Sequence, residues 1–263
     1  MKNVQWTGIH GKEKLEFKDN QELEAYYEEK YSHGGYEGGG CVLYGVNISK
    51  LYHEARYRTA LHFLEPQPQD VILDAGCGDG GLSIQIAPRC GTVHAIDIAG
   101  NALNPEYRSI PNLKFQKMNV EALAFPDAFF DRIVSVETLE HLIDPKKALA
   151  EFHRTLKPGG RLVLTYPTVN RTLMQRLQRK LGIGWHLDIS EHLTEWTYAD
   201  VVKHTRAGGF EFLAAEGIAF DFGLFGWPKY KSRLFAQMIT KLSLGIRCFP
   251  RNSSFVSISF RKI

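Results

Sequence analysis

Short apolar runs alternate with segments of helical spacing through the middle of this chain. Val71 to Leu73 form a run of branched apolar side chains, which is typical of a strand buried on both faces of a parallel sheet. Asp74 ends the run, and glycines then occupy the alternate positions Gly76, Gly78 and Gly80. Apolar residues then return at helical spacing from Gly81 to Ala87. The stretch therefore predicts a strand, a tight glycine turn and a helix.

Further apolar runs predict the other parallel strands of an α/β sheet. They are His94–Asp97, a run from Lys114 that ends at Asn119, Phe130–Glu137, and a strand that opens within Leu156–Thr165. Strands that alternate with helices imply a parallel sheet with right-handed crossovers and helices on both faces. Ligands of such sheets bind at the carboxyl ends of the strands, so the glycine turn is the predicted binding site.

Residues 1–60 precede this sheet and are predicted to decorate it rather than to form a separate domain. Asn20–Tyr31 is acidic and aromatic and predicts a helix, and Ser49–Leu64 predicts an amphipathic helix that leads into the first strand. Between them, Tyr31–Gly40 contains five glycines. Our hypothesis is that this segment closes over bound ligands as a lid, and a flexible surface connection is the alternative. The lid side chains expected to face the site are Tyr31, His33 or Tyr36.

Length and composition fit one substantial α/β core. The chain has 263 residues, of which 44% are hydrophobic, and it needs no second domain. The N-terminus lacks the apolar run of a signal peptide, and no stretch reaches the length of a membrane span. The four cysteines show no paired spacing, which suits a reducing compartment. The expected location is therefore the cytoplasm.

The net charge of +3 conceals an asymmetry. The segment from Arg171 to the end has fourteen Lys and Arg against seven Asp and Glu, whereas the rest of the chain has eighteen against twenty-two. The basic segment favours an anionic or phosphorylated ligand. Solvated helix faces explain the same charges, and both interpretations stay open.

The glycine turn has the spacing D-x-G-x-G-x-G from Asp74 to Gly80. A dinucleotide site has the spacing G-x-G-x-x-G and holds a pyrophosphate at a helix N-terminus. An acid ahead of the first glycine repels a pyrophosphate but suits a ligand that bears an ammonium and a sulfonium, which is S-adenosylmethionine (SAM). Asp97, about twenty residues further on, stands where an acid hydrogen-bonds the two ribose hydroxyls. The turn alone leaves both ligands open.

The motifs in chain order are G-C-G-D-G, A-I-D, L-x-F-P-D-x-x-F-D, L-E-H-L and L-K-P-G-G-R-L, and they resemble the class I SAM-dependent methyltransferases over roughly Leu61 to Phe212. The resemblance implies a Rossmann-like, mostly parallel seven-stranded sheet within residues 61–263, with helices on both faces. It also implies an antiparallel C-terminal hairpin with arms at Glu211–Phe220 and Phe255–Arg261. Residues 221–252, between the arms, would form an insertion over the acceptor pocket.

The same resemblance implies a set of SAM-binding residues. They are Asp74, Gly76 and Gly78 along the methionine part, Asp97 at the ribose, Ile98 against the adenine, and Asn119 and Val120 along the adenine edge. Asp is commoner than Asn at position 119. Asn119 is therefore expected to accept from the adenine amino group through its carbonyl oxygen.

A second set of polar residues follows the fourth strand. Glu137, Glu140 and His141 form E-x-x-E-H, and residues three and four apart share one helical face. His192 opens H-x-x-E-W-T, before a helix predicted to start near Thr197. Together the two motifs resemble the metal site of the small-RNA 3′-terminal 2′-O-methyltransferases, and E-x-x-E-H alone resembles the ubiquinone-pathway O-methyltransferases. The resemblance implies that Glu137, Glu140, His141 and His192 hold one Mg²⁺ or Mn²⁺, with a vicinal diol of the acceptor completing the shell.

L-E-H-L is also frequent in class I methyltransferases that bind no metal. In that alternative His141 lies near the pocket or packs beneath it, and His192 and His186 are pocket residues, one of which acts as the general base. His141 and His192 are the catalytic candidates in either case.

The leading hypothesis for function is O-methylation of a small metabolite, such as a sugar, a quinone precursor or a natural product. The second is methylation of an RNA end, but the chain shows no separate RNA-binding module and too few basic residues around Arg171–Lys180 to trace a strand. A small-molecule N-methyltransferase and a non-catalytic SAM-binding protein also stay open. The sequence predicts no oligomeric state.

Overall fold

The computed structural model describes residues 15–33, 42–43, 46–167, 191–220 and 253–263. Two short strands, β1 (Val42–Leu43) and β2 (Val46–Asn47), pair antiparallel with each other. The main sheet has seven strands, which are β3 (Val71–Ala75), β4 (Thr92–Asp97), β5 (Leu113–Lys117), β6 (Phe130–Val136), β7 (Leu156–Pro167), β8 (Phe210–Phe220) and β9 (Ser253–Lys262).

The main sheet has the order β5-β4-β3-β6-β7-β9-β8. Strands β3 to β7 are parallel, and β9 runs antiparallel between β7 and β8. This confirms the predicted Rossmann-like sheet with its antiparallel C-terminal hairpin. Strand β5 ends at Lys117, before the predicted end at Asn119.

The described residues also form α-helices at α1 (Asn20–Ser32), α2 (Ile48–Leu64), α3 (Ser83–Ile86), α4 (Pro145–Thr155) and α5 (Tyr198–Ala207). The Thr197 side chain caps α5 by accepting from the backbone of Asp200, which confirms the predicted start of that helix. Helix α3 is shorter than its apolar pattern suggests. It passes into a 3₁₀ turn at Ala87–Arg89, where Pro88 has no N–H to donate to a helical hydrogen bond.

The core lies on both faces of the sheet because successive residues of a buried strand point to opposite sides. Ile72 of β3 packs in one cluster with Leu64 of α2, and Leu73 packs in another with Phe152 of α4. All four residues are 0% exposed. Burying side chains of this size contributes roughly 1.5–3 kcal/mol each, which makes the central strands a rigid base for the turns at their ends.

Helix α1 packs at the edge of the sheet where β4 ends. Leu23 and Tyr27 are buried against Ala99 and Ala102, which follow β4 directly. The N-terminal helix therefore lies at the same carboxyl edge as the turn that follows β3.

Some predictions fall outside the described residues. They are the glycine-rich lid over Gly34–Gly40 with Tyr36, the basic segment Arg171–Lys180 with His186, and the insertion at 221–252. Among the described helices, none combines the length and the apolar character that crossing a membrane requires.

Candidate active site

The turn after β3 requires glycine at its three alternating positions. Gly76, Gly78 and Gly80 have φ angles of +76°, +54° and +87°, which residues with a side chain rarely adopt. A Cβ on Gly76 would lie 2.4 Å from Thr138 Cγ2, and one on Gly80 would lie 2.4 Å from Leu103 Cδ1. The predicted tight turn is present, and other parts of the chain close in on its backbone.

Asp97, at the end of β4, holds together the glycine turn and the loop that follows β4. Its Oδ2 accepts from the Gly78 backbone N–H at 3.0 Å, and its Oδ1 accepts from that of Ala99 at 3.0 Å. Burial raises the pKa of Asp97, and these two N–H groups oppose the rise. Each carboxylate oxygen keeps a second lone pair, so this acid is able to accept from a pair of ribose hydroxyls as well.

Asp74 lies beneath the turn rather than on its surface. The residue is 2% exposed, and its Oδ2 accepts from Ser83 Oγ at 2.6 Å. Burial raises the pKa of Asp74 to about 7, the Ser83 hydrogen bond opposes the rise, and the charges of Asp97 and Asp79 add to it. The three acids give the turn a negative potential, which favours a cationic ligand over a pyrophosphate.

The residues expected around the adenine flank the same edge. Ile98 is half-buried against the α1 cluster, and Val120 is 4% exposed within the main core. The Asn119 Oδ1 accepts from the backbone N–H of Glu121 at 2.8 Å. The oxygen expected to meet the adenine amino group is thus already engaged once, and only its second lone pair is available for that contact.

The C-terminal end of helix α1 lies beside the turn. A Cβ on Gly78 would lie 3.2 Å from the Tyr31 hydroxyl, so this tyrosine is in place over the turn. His33 instead sits at the exposed end of the helix, where its Nδ1 lies 2.8 Å from the Glu29 carbonyl oxygen. Of the two lid candidates in the described residues, Tyr31 is the one beside the site.

Glu137 follows β6 in a strained backbone conformation, with φ +52°. Its Oε2 accepts from Arg56 Nη1 of α2 at 3.1 Å, while Arg56 Nη2 lies 2.9 Å from His53 Nδ1 and the guanidinium lies over the Phe255 ring at 4.6 Å. Burial raises the pKa of Glu137 to about 7, and Arg56 opposes the rise. The structure therefore pairs this predicted metal ligand with a cation from α2.

The other three predicted metal ligands come together. Glu140, His141 and His192 each offer one ligand atom, and these atoms lie within 4.8 Å of one another. The two imidazole rings are 5.2 Å apart between centroids and nearly perpendicular, at 81°. Glu140 is 1% exposed and His192 is 9% exposed, so the cluster is shielded from bulk water.

The backbone explains how a residue from position 192 reaches this cluster. The Glu140 carbonyl accepts from the N–H groups of both Leu193 and Thr194, at 2.7 and 3.0 Å. The Tyr166 hydroxyl donates to the Thr194 carbonyl at 2.8 Å and accepts from the Trp196 N–H at 2.9 Å. The segment that directly follows His192 is thus held in place next to the cluster.

Glu140 and His141 present hydrogen-bond acceptors to each other. The Nδ1 of His141 lies 3.0 Å from the Glu191 carbonyl oxygen, which only accepts, so Nδ1 carries the proton and Nε2 carries the lone pair. That Nε2 lies 3.9 Å from Glu140 Oε1. Both Glu140 oxygens are buried and have no hydrogen-bond partner among the described residues.

The pKa shifts follow from this crowding. Burial and, to a smaller extent, the charge of His192 lower the pKa of His141 to about 4. Burial and the neighbouring Glu137 raise the pKa of Glu140 well above its usual range. A neutral imidazole and a buried, unpartnered carboxyl group need either a proton or a cation between them.

The residues present fit a divalent ion. One carboxylate and two imidazoles form a donor set that Mg²⁺ or Mn²⁺ is able to use with positions left for oxygen ligands. A backbone carbonyl behind the second nitrogen, as Glu191 provides for His141, is the contact that fixes the orientation of metal-binding histidines.

Arg56 and Glu191 belong to this site but were not assigned to it from the sequence. Arg56 was detectable as a cation among the buried side chains of α2, between Ala55 and Ala60. Glu191 directly precedes His192, but its role depends on contacts with residues far away in the chain, which no local pattern reveals.

Comparisons with known proteins identify the family to which this chain belongs. A family model described as a methyltransferase domain matches residues 73–164. The chain is 32% identical over 162 residues to a ubiquinone biosynthesis O-methyltransferase of Paracidovorax citrulli, which covers 57% of this chain and 67% of that protein. It is 31% identical over 160 residues to the S-adenosyl-L-methionine-dependent Diels-Alderase iccD of Talaromyces variabilis, with 54% and 55% covered.

The fold agrees as well. A chain in the solved complex of the Haloferax volcanii Trm112 methyltransferase activator with a methyltransferase superposes with a TM-score of 0.62 at 18% identity, covering 91% of this chain and 97% of that one. The chain belongs to the class I SAM-dependent methyltransferases. It spans between about half and two thirds of the length of the curated relatives named above.

Proposed function

We propose that this protein transfers the methyl group of SAM to a hydroxyl oxygen of a small-molecule acceptor. The observation that carries the proposal is the pairing of a buried carboxyl group, Glu140, with the unprotonated Nε2 of His141. These residues follow Thr138, which contacts the glycine turn at Gly76. A hydroxyl must lose its proton as its oxygen gains the methyl group, and this cluster provides the acceptors for that proton.

The SAM half of the site consists of the residues around the turn. Asp97 accepts from the ribose hydroxyls, Ile98 flanks the adenine, and Asn119 and Val120 lie along the adenine edge. The acids around the turn, Asp74 among them, stabilise the positive charge of the ligand. When bound, SAM supplies a methyl group on a cationic sulfur, which is already a strong electrophile.

The acceptor half of the site holds the hydroxyl in line with the methyl carbon and excludes water. Such positioning accounts for much of the rate of a displacement at an activated carbon. As the carbon–oxygen bond forms, the carbon–sulfur bond breaks and the hydroxyl proton passes to a histidine nitrogen. His141 and His192 are the two candidates for that base, because each offers a nitrogen within the cluster.

A divalent ion is the second part of the proposal. Glu140, His141 and His192 would hold it, and it would lower the pKa of a coordinated acceptor hydroxyl. With an ion in place the two histidines serve as ligands instead of bases. Glu137 lies outside this set of three: Arg56 holds one of its oxygens, and the other is buried without a partner among the described residues.

The relatives support a hydroxyl acceptor and define the alternatives. The aligned Paracidovorax citrulli protein is named as an O-methyltransferase, whereas the Talaromyces variabilis protein is named as a Diels-Alderase. A protein of this fold that binds SAM without transferring its methyl group is therefore the main competitor.

The test is a panel of catechols, vicinal diols, monohydroxyl phenols, amines and RNA oligonucleotides with free 3′ ends, each incubated with methyl-labelled SAM. The expected result is label on a hydroxyl compound and none on the amines or RNA. Loss of transfer in chelator and its recovery with Mn²⁺ would support the ion, whereas full activity in chelator would assign the proton to the histidines. Label on amines or RNA alone would contradict the proposal.

A further inference from the structure

Glu191 joins two parts of the molecule that are far apart in the chain. Its Oε1 accepts from the Tyr26 hydroxyl at 2.8 Å, and its Oε2 accepts from Lys30 Nζ at 2.6 Å. Tyr26 and Lys30 lie one turn apart on α1 and so reach the same carboxylate from one face of that helix. The Lys30 and Glu191 side chains are only 20% and 23% exposed, which shields the pair from much of the solvent.

The backbone of the same residue contacts the active-site cluster. The Glu191 carbonyl accepts from His141 Nδ1 at 3.0 Å, and the next residue in the chain is His192. The ring of Tyr27, which is adjacent to Tyr26, lies edge-on to the His141 ring with centroids 6.1 Å apart. Helix α1 therefore reaches His141 directly through one aromatic ring and indirectly through Glu191.

We propose that Glu191 is a positioning residue: α1 holds its carboxylate in place, and its carbonyl keeps the His141 proton on Nδ1. It acts through His141, which needs its Nε2 lone pair for either a proton or an ion. The inference rests on the proposed function and extends it, because Tyr26 and Lys30 of the N-terminal helix then help to position a candidate catalytic histidine.

A tether without any effect on His141 is the competing explanation. A tether would hold α1 over the glycine turn, where Tyr31 lies beside Gly78, and its loss would weaken SAM binding above all. A positioning role would instead leave SAM binding largely intact and change the His141 tautomer and the turnover rate. The two explanations therefore differ in which quantity moves.

The first measurement is the ¹⁵N NMR spectrum of the histidine rings in the full chain. The wild type is expected to show His141 as one neutral tautomer protonated on Nδ1. In the double variant Tyr26→Phe with Lys30→Met, which removes both partners of the Glu191 carboxylate, a mixture of tautomers is expected. Lys117→Met is the matched control, because it removes exposed ion pairs with Glu24 and Glu28 on the same helix.

The second measurement separates binding from turnover. The double variant is expected to lower kcat about tenfold, as loss of a residue that orients a ligand or a base commonly does, with the SAM dissociation constant within about twofold of the wild type. Glu191→Gln still accepts from Tyr26, so its kcat is expected to lie between those of the wild type and the double variant. A single Nδ1–H tautomer in the double variant, or a loss of SAM affinity that accounts for the whole effect, would overturn the inference.

The tautomer measurement requires no acceptor, so it separates this inference from the proposed function. A tautomer mixture in the variant of a protein that methylates no hydroxyl compound would retain the positioning role and refute the proposed function. Hydroxyl methylation at the wild-type rate by the double variant would support the proposed function and refute the positioning role.

Discussion

The Nε2 of His141 lies 3.9 Å from Oε1 of Glu140, and with the histidine proton on Nδ1 both of these atoms are acceptors. Two buried acceptors in this relation favour a third partner that carries positive charge or a mobile proton. The relation links the fold to the chemistry, because the Glu140 backbone carbonyl also holds the segment that delivers His192.

Mn²⁺ binding to the cluster is expected to depend on Glu140 and His192. Glu140→Gln and His192→Ala should each lower the affinity for Mn²⁺ about tenfold or more. His33→Ala, which replaces an exposed histidine at the C-terminal end of α1, should leave that affinity unchanged. Because burial raises the pKa of Glu140, the ion must displace a proton, and its affinity should rise with pH. Calorimetric titration at several pH values checks both points. Equal affinity of the wild type and Glu140→Gln would rule out this site.

Glycine at position 76 is expected to be required for space as well as for its backbone angle. Gly76→Ala places a Cβ at φ +76° and within 2.4 Å of Thr138, whereas Gly159→Ala places one at φ +73° with no atom within 4 Å. Gly159→Ala should lower the free energy of unfolding by about 1 kcal/mol, because it adds only backbone strain. Gly76→Ala should lower it by about 3 kcal/mol or more, because the clash with Thr138 adds to that strain. Urea unfolding measures both values, and equal losses would show that the clash with Thr138 is relieved without cost.

SAM affinity is expected to rise with pH through the raised pKa of Asp74. This carboxyl group is neutral below about pH 7 and ionised above it, and the ionised form stabilises a sulfonium. The demethylated product carries the same amino acid and ribose without the sulfonium, so its affinity should change less between pH 6 and 8. Asp74→Asn should remove the difference between the two ligands. Parallel pH curves for both ligands in the wild type would contradict this role.

The pair of Arg56 and Glu137 is expected to matter for stability far more than an exposed pair does. Arg56→Met leaves Glu137 buried without its cation and should cost roughly 3–5 kcal/mol, whereas Lys117→Met, at an exposed pair, should cost about 1 kcal/mol or less. Adding Glu137→Gln to Arg56→Met should recover part of the loss. Urea unfolding of the four proteins tests this, and a small loss for Arg56→Met would mean that Glu137 is neutral in the folded state.

The sheet and the glycine turn could be predicted because local patterns determine them. Val71–Leu73 and the glycines after Asp74 carry their own signal, since buried strands need branched apolar residues and positive φ angles need glycine. The Thr197 start of α5 is predictable for the same reason, because a cap is a local contact.

Side-chain pairings across the fold could not be predicted in this way. Glu137 was expected among the metal ligands, but it accepts from Arg56, which is 81 positions away in the chain. The Asn119 oxygen, which is expected at the adenine edge, also accepts from the Glu121 backbone, and residue type alone does not reveal that local hydrogen bond. The spacing of Glu140, His141 and His192 indicated a cluster without revealing which nitrogen of His141 carries the proton.

Transfer of the SAM methyl group to oxygen can be followed atom by atom. The protein is supplied with SAM labelled with ¹³C in the methyl group and with a pool of small metabolites, and NMR follows the label. The signal is expected to move from the sulfonium to a methoxy group, and His141→Ala with His192→Ala is expected to abolish the change. A protein that binds labelled SAM tightly while the label stays on sulfur, or reaches only nitrogen, would contradict it.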